Sequence, residues 1–124
     1  MNLLSTNLMG LGVGGAALAS AIGIDITSAA TATGSSEADA YALTTTVTEF
    51  TTTASSTGAK LPAATPGAVC VVANFGANTL KVYPNTSDKI NNGTATTGSI
   101  NVAANKTGFF LCIDSVDWVA VVTA

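Results

Sequence analysis

Hydrophobic residues follow different patterns in the two parts of this chain, and the change falls near residue 44. In residues 1–24, most leucines and isoleucines share one face of an ideal helix at about 100° per residue. Glycines between positions 10 and 15 interrupt that face, each at a cost of about 1 kcal/mol relative to alanine. We therefore predict short helical turns or an irregular arm that docks on a partner; the alternative is that this segment packs on its own domain. The predicted partner-binding residues are Leu3, Leu4, Leu8, Leu11, Leu18 and Ile22.

From residue 44 onward, short apolar runs rich in Val, Ile and Thr are separated by turn residues. β-Branched side chains favour strands, whereas Pro84 and the Asn91-Asn92-Gly93 sequence favour breaks. The pattern predicts a mainly β fold, a jelly roll or a β-sandwich or barrel-like domain of seven to eight short strands with an N-terminal apolar arm. The predicted strands cover residues 45–52, 58–61, 67–73, 79–83, 98–102, 108–113 and 117–123, with a short strand near 89–90.

The segment between these two parts is rich in Ala, Ser and Thr and is typical of a linker. Ser35 or Ser36 could cap a short helix over residues 37–43. We therefore divide the chain into an arm and linker, residues 1–43, and a β-domain, residues 44–124. In the first strand of that domain, Val47 is predicted to face inward and Thr48 outward.

Three predicted strands are continuous apolar runs, which is typical of strands that are buried on both faces. A β-domain of about 80 residues has little room for three such strands, and exposed ones promote aggregation. We therefore predict an oligomer in which neighbouring copies cover the second face. The alternative is a monomeric sandwich with these runs as its central strands. The predicted oligomer and core residues are Val69, Val71, Val72, Phe109, Phe110, Trp118, Val119 and Val121.

Composition and charge exclude most kinds of chemistry. Ala, Thr, Gly and Ser supply 64 of the 124 residues, charged residues are 9%, and the chain contains neither His nor Arg. It therefore has no Ser-His-Asp triad, imidazole metal site or arginine clamp for phosphate. With a net charge of −3, it also lacks the basic patch of a nucleic-acid-binding protein. We predict no catalytic residues, metal or cofactor, and no enzymatic activity.

The remaining candidate groups are sparse. Cys70 and Cys112 lie in apolar strands and are expected to be buried free thiols, although a disulfide is possible if the two strands are neighbours. Asp88, Asp114 and Asp117 are dispersed and fit turns better than a calcium site, which needs six to eight oxygen ligands.

Two targeting interpretations of the N-terminal segment are weak. A secretory signal peptide needs a positively charged start, and residues 1–7 contain no Lys or Arg. A transmembrane helix needs about 20 strongly apolar residues, but this segment is interrupted by glycines and asparagines. We therefore expect no membrane partner.

The succession of turn and strand sequences from Asn7 to Val121 resembles small virion proteins encoded among the head genes of tailed bacteriophages. The sequences that carry this resemblance are the NLLSTNLMGLG opening, Gly58-Ala59-Lys60-Leu61-Pro62, Val71-Val72-Ala73-Asn74-Phe75-Gly76-Ala77-Asn78, Leu80-Lys81-Val82-Tyr83-Pro84, Ile90-Asn91-Asn92-Gly93, Phe109-Phe110-Leu111-Cys112-Ile113-Asp114 and Asp117-Trp118-Val119-Ala120.

The resemblance implies a β-rich, trimeric capsid decoration (cement) protein or a head-fibre-base protein. The expected partners are further copies of the chain and the major capsid protein. The expected location is the phage head surface, after synthesis in the bacterial cytoplasm. Two alternatives remain open. One is a tail, collar or fibre-anchoring virion protein, and the other is a secreted or surface carbohydrate-binding β-sandwich.

Overall fold

The computed structural model describes residues 24–124, which form ten strands in two mixed sheets. These residues contain no helix, and the mainly β prediction is confirmed. The strands are β1 (Ile26–Thr31), β2 (Tyr41–Ala42), β3 (Val47–Thr52), β4 (Gly58–Lys60), β5 (Val69–Asn74), β6 (Leu80–Tyr83), β7 (Lys89–Ile90), β8 (Ile100–Val102), β9 (Lys106–Cys112) and β10 (Asp117–Val122).

The chain passes from one sheet to the other at each step from β1 to β9. The six-stranded sheet has the order β1-β3-β5-β9-β10-β7, and the four-stranded sheet has the order β2-β4-β6-β8. Strands β1, β3 and β5 are parallel to one another, and so are β2, β4 and β6. The first six strands are therefore wound as three coils. A jelly roll is built from antiparallel strands, so these parallel ladders differ from that part of the expectation.

Buried side chains from both sheets form one hydrophobic cluster. Successive side chains of a strand point to opposite sides, so every second residue enters this cluster. Burial of these apolar side chains is the main stabilising contribution. Its members with almost no exposure include Phe50, Val72, Phe110 and Trp118 from the six-stranded sheet and Leu80, Val82 and Val102 from the four-stranded sheet.

One buried polar side chain also joins the two sheets. Asn74, at the end of β5, is fully buried and donates hydrogen bonds to the carbonyl oxygens of Val102 (2.8 Å) and Asn78 (2.9 Å). Its own side-chain oxygen accepts from the Thr53 hydroxyl (2.8 Å) and the Gly76 amide (3.1 Å). All four hydrogen-bonding positions of the amide are therefore used, which offsets the cost of its burial.

The segment predicted as a linker carries two strands, β1 and β2, and the predicted helix over residues 37–43 is absent. The Asp39 carboxylate accepts hydrogen bonds from the Ser35 and Ser36 amides and from the Ser36 hydroxyl. These local bonds favour a turn over a helix. Tyr41 then pairs with Ala59 in the four-stranded sheet.

The predicted orientation of β3 is also wrong. Thr48 and Phe50 are buried, and Val47 lies half-buried on the opposite side of the sheet. Phe50 contributes far more apolar surface to the core than Val47 could. The Thr48 hydroxyl lies 3.3 Å from the Thr45 hydroxyl, so it keeps a hydrogen-bonding partner although it is buried.

Candidate functional site

The outer side of the six-stranded sheet, which points away from the four-stranded sheet, is apolar across five strands. Its residues alternate in sequence with core residues. Cross-strand pairing places them in two rows. We call this surface the apolar face. Its first row is Val69, Leu111 and Val119, and its second row is Ile26, Val47, Val71, Phe109 and Val121.

Within the described residues 24–124, nothing covers the apolar face. Phe109, Leu111 and Val121 are each about half exposed or more. The two rows contain no charged residue. Glu49 lies in the next row of β3, Asp117 lies beyond the first row on β10, and Asp25 lines a hollow beside Val69, so these acidic groups are at the border. Residues 24–124 thus present a contiguous apolar surface with a polar rim, which is the usual composition of a protein-binding patch.

The structure separates the predicted oligomer and core residues into two groups. Val72, Phe110 and Trp118 are core residues. The other five belong to the apolar face: Val69, Val71, Phe109, Val119 and Val121.

Three residues of this face were not among the predicted set. Ile26 lies in a segment predicted as a linker, and Val47 is predicted to face inward. Leu111 lies within the predicted apolar strand at residues 108–113. Strict alternation from the largest core residues would have found Leu111, because it lies one residue from Phe110.

The predicted partner-binding residues of the arm lie outside the described residues, so the arm contributes no geometry to this site. These residues are Leu3, Leu4, Leu8, Leu11, Leu18 and Ile22.

Both cysteines are buried free thiols on the core side of β5 and β9. Burial raises the pKa of Cys70 to about 11, with smaller electrostatic contributions from Asp25 and Cys112. Burial also raises the pKa of Cys112, whose thiol lies 3.1 Å from the Asp114 carbonyl oxygen. Such thiols are protonated near neutral pH and serve as packing groups rather than nucleophiles.

The dispersed carboxylates stabilise turns. Asp114 accepts hydrogen bonds from the amides of Val116 (2.8 Å) and Asp117 (2.7 Å). Asp88 accepts one from the Ala64 amide (2.8 Å). Within residues 24–124, no group of three or more acidic, cysteine or histidine residues could hold a metal ion.

A separate hollow of about 330 Å³ is open and polar. It lies where the β3–β4 and β5–β6 loops approach β6 and β8. Its lining contains no aromatic residue, although small-molecule sites usually combine apolar or aromatic walls with a few polar groups. The lining residues are Ser55, Ser56, Asn78, Thr79, Lys81 and Asn101.

No helix in the described part of the chain is long and apolar enough to cross a membrane. Comparisons with protein families, with curated proteins and with solved structures find no significant match to this chain. The apolar face is therefore the feature on which a functional assignment depends.

Proposed function

We propose that this chain is a structural protein of a phage virion, and specifically a homotrimeric capsid decoration (cement) protein. In this role it binds the major capsid protein on the head surface after synthesis in the host cytoplasm. The observation that carries the proposal is the apolar face, which residues 24–124 leave uncovered. An assembly protein needs such a surface, whereas an enzyme needs convergent polar groups.

The proposed mechanism is mechanical. Capsid binding removes apolar surface from water, which contributes roughly 25 cal/mol per Å² before the costs of association are subtracted. Three arms on one trimer bind with avidity, because the second and third contacts form intramolecularly. In this mechanism, the two β-sheets form the rigid body that holds the arms. We describe the two sheets as a sandwich whose first six strands are wound as coils.

The composition of the chain supports a role in assembly rather than catalysis. Only 9% of the residues are charged, the Asp88 and Asp114 carboxylates bind backbone amides, and both cysteine thiols are buried in the core. The resemblance of the strand and turn sequences to phage virion proteins points to the same class.

The test is binding of the purified chain to heads, lacking this protein, of the phage that encodes it. The wild-type chain should co-sediment with heads. The Leu8→Asp, Leu11→Asp double variant should lose binding while it keeps the wild-type mass in light scattering. Ser5→Asp, Thr6→Asp is the matched control, because it places two charges in the same segment on polar positions. Failure of the wild-type chain to bind heads would overturn the decoration role.

Two alternatives predict different partners. A tail, collar or fibre-anchoring protein would bind purified tails or collars instead of heads. A carbohydrate-binding module would show saturable binding to glycans and N-terminal processing. The non-aromatic lining of the polar hollow weighs against the second alternative.

A further inference from the structure

We propose that the apolar face is the surface through which one copy of this chain binds a second copy. This inference rests on the proposed oligomeric structural role and deepens it, because it assigns the subunit interface to named residues. In the trimer, each six-stranded sheet turns its apolar face toward the three-fold axis, where the face packs against part of the face of each neighbouring copy.

The chemistry of the face restricts its occupant. The two rows are uncharged, so a charged partner would lose hydration without gaining an opposite charge. The rows also follow a sheet, and sheets pack face to face at about 10 Å with interdigitating side chains. Among residues 24–124, the extended apolar surface that meets both requirements is the apolar face itself. A second copy therefore supplies a matching surface.

The size of the face agrees with an interface core. Strands about 4.8 Å apart and same-side residues about 6.6 Å apart give the eight residues of the two rows a flat area of roughly 250 Å². Specific interfaces bury about 800 Å² per partner, of which the outer part is a polar rim. Thr107 and Thr123 lie beside the second row and Asp117 lies beside the first, so the face has the rim that such an interface needs.

The central experiment compares two valine-to-lysine variants of the full chain. Val119 is 41% exposed in the first row of the face, whereas Val116 is 44% exposed at the β9–β10 turn outside both rows. Both positions are thus valines of similar exposure, and the turn that contains Val116 leads directly into the strand that contains Val119. Masses are measured by light scattering after size exclusion at a series of equal concentrations. Folding is checked by the fluorescence of Trp118, the one tryptophan of the chain.

We expect the wild type and Val116→Lys to have the mass of an oligomer and Val119→Lys to have the mass of one chain. The dissociation constant of Val119→Lys should rise by about 100-fold or more, because its ammonium group would be buried without a partner. If Val119→Lys keeps the wild-type mass, or if Val116→Lys dissociates equally, the inference is wrong. Val121→Lys provides a second face variant with more room, since Val121 is 64% exposed.

A measurement on the wild-type chain does not depend on any variant folding. Dilution that dissociates the oligomer should expose the face and increase the fluorescence of a dye that binds apolar surface. A wild-type monomer at all concentrations that binds no dye would overturn the inference, and would indicate that residues 1–23 of the same chain cover the face. Head binding separates this outcome from failure of the decoration role, because a monomer that still binds heads keeps that role and loses only the homotrimer and its interface.

Discussion

Phe109 and Phe110 are neighbours in the chain but lie on opposite sides of the six-stranded sheet. Phe109 is 49% exposed in the apolar face, and Phe110 is 1% exposed in the core. The alternation of side chains along β9 produces this division. The same residue type therefore has two different roles at consecutive positions.

The two phenylalanines should respond differently to truncation. Phe110→Ala should lower the free energy of unfolding by about 3–5 kcal/mol, because it leaves a cavity in the core. Phe109→Ala should cost the single chain less than about 1 kcal/mol and should instead weaken association. Urea unfolding at several protein concentrations separates the effects, since association makes stability depend on concentration. Equal losses for both variants at low concentration would contradict this division.

Replacement of Asn74 should be among the most damaging polar substitutions. Asn74→Ala leaves the buried carbonyl of Val102 and the hydroxyl of Thr53 without their present partner. We expect a loss of about 2–4 kcal/mol in the free energy of unfolding. Asn101→Ala, on the exposed side of β8, is the control and should change stability by less than about 0.5 kcal/mol. A loss at Asn74 as small as that at Asn101 would show that the four hydrogen bonds do not stabilise the fold.

The two cysteines should resist thiol reagents while the chain is folded. Burial raises the pKa of Cys70 to about 11, so its thiolate is scarce at pH 8 and is also shielded from reagent. Labelling with a disulfide reagent should become rapid only when denaturant unfolds the chain. Ser115→Cys, in the exposed β9–β10 turn, should add one thiol that reacts at once in the native protein. Rapid native labelling of two thiols in the wild type would contradict the buried arrangement.

The turn before β2 should loosen in acid. Hydrogen bonds from the Ser36 hydroxyl and amide lower the pKa of Asp39 below its ordinary value of 3.8. Folding therefore favours the carboxylate, and its contribution is complete above pH 3.8 and lost as pH falls through the lowered pKa.

Hydrogen exchange at the Ser36 amide tests this dependence. Protection of the Ser36 amide should decrease across that acidic range in the wild type. Asp39→Asn keeps an oxygen acceptor but does not titrate, so protection in this variant should be flat with pH. A parallel decrease in the variant would assign the acid effect to another group.

The sequence alone predicts the later strands well. Residues 89–90 were predicted as a short strand and form β7, and the runs around residues 70, 110 and 120 form β5, β9 and β10. These segments combine β-branched residues with clear turn residues at their ends, so local chemistry and tertiary packing favour the same structure.

The sequence does not predict the first two strands, β1 and β2, because their stability comes from pairing rather than from their own residues. β1 contains two alanines, two threonines and a serine, and it is held by its parallel pairing with β3. β2 has only two residues and depends on β4. Sequence periodicity does not record such long-range pairing, and the Ala-rich composition suggested a linker.

The candidate site, too, could be predicted from the sequence only in part. Continuous apolar runs indicated that strands β5, β9 and β10 have two apolar sides, and alternation assigns each residue to one of them. The extension of the apolar face to Ile26 required the parallel register of β1 with β3, which sets Ile26 opposite Val47. Register between distant segments depends on the coiled topology, and no short-range pattern specifies it.

The alternation of β1 to β6 between the two sheets also determines how the fold can come apart. β1 and β2 are the first edges of the six-stranded and four-stranded sheets, and both belong to the first coil. Unwinding from the N-terminal end therefore removes a strand from one sheet and then a strand from the other. Each sheet therefore loses its edge strands at the same rate. A force applied through the N-terminal arm must break strand pairs in the two sheets alternately.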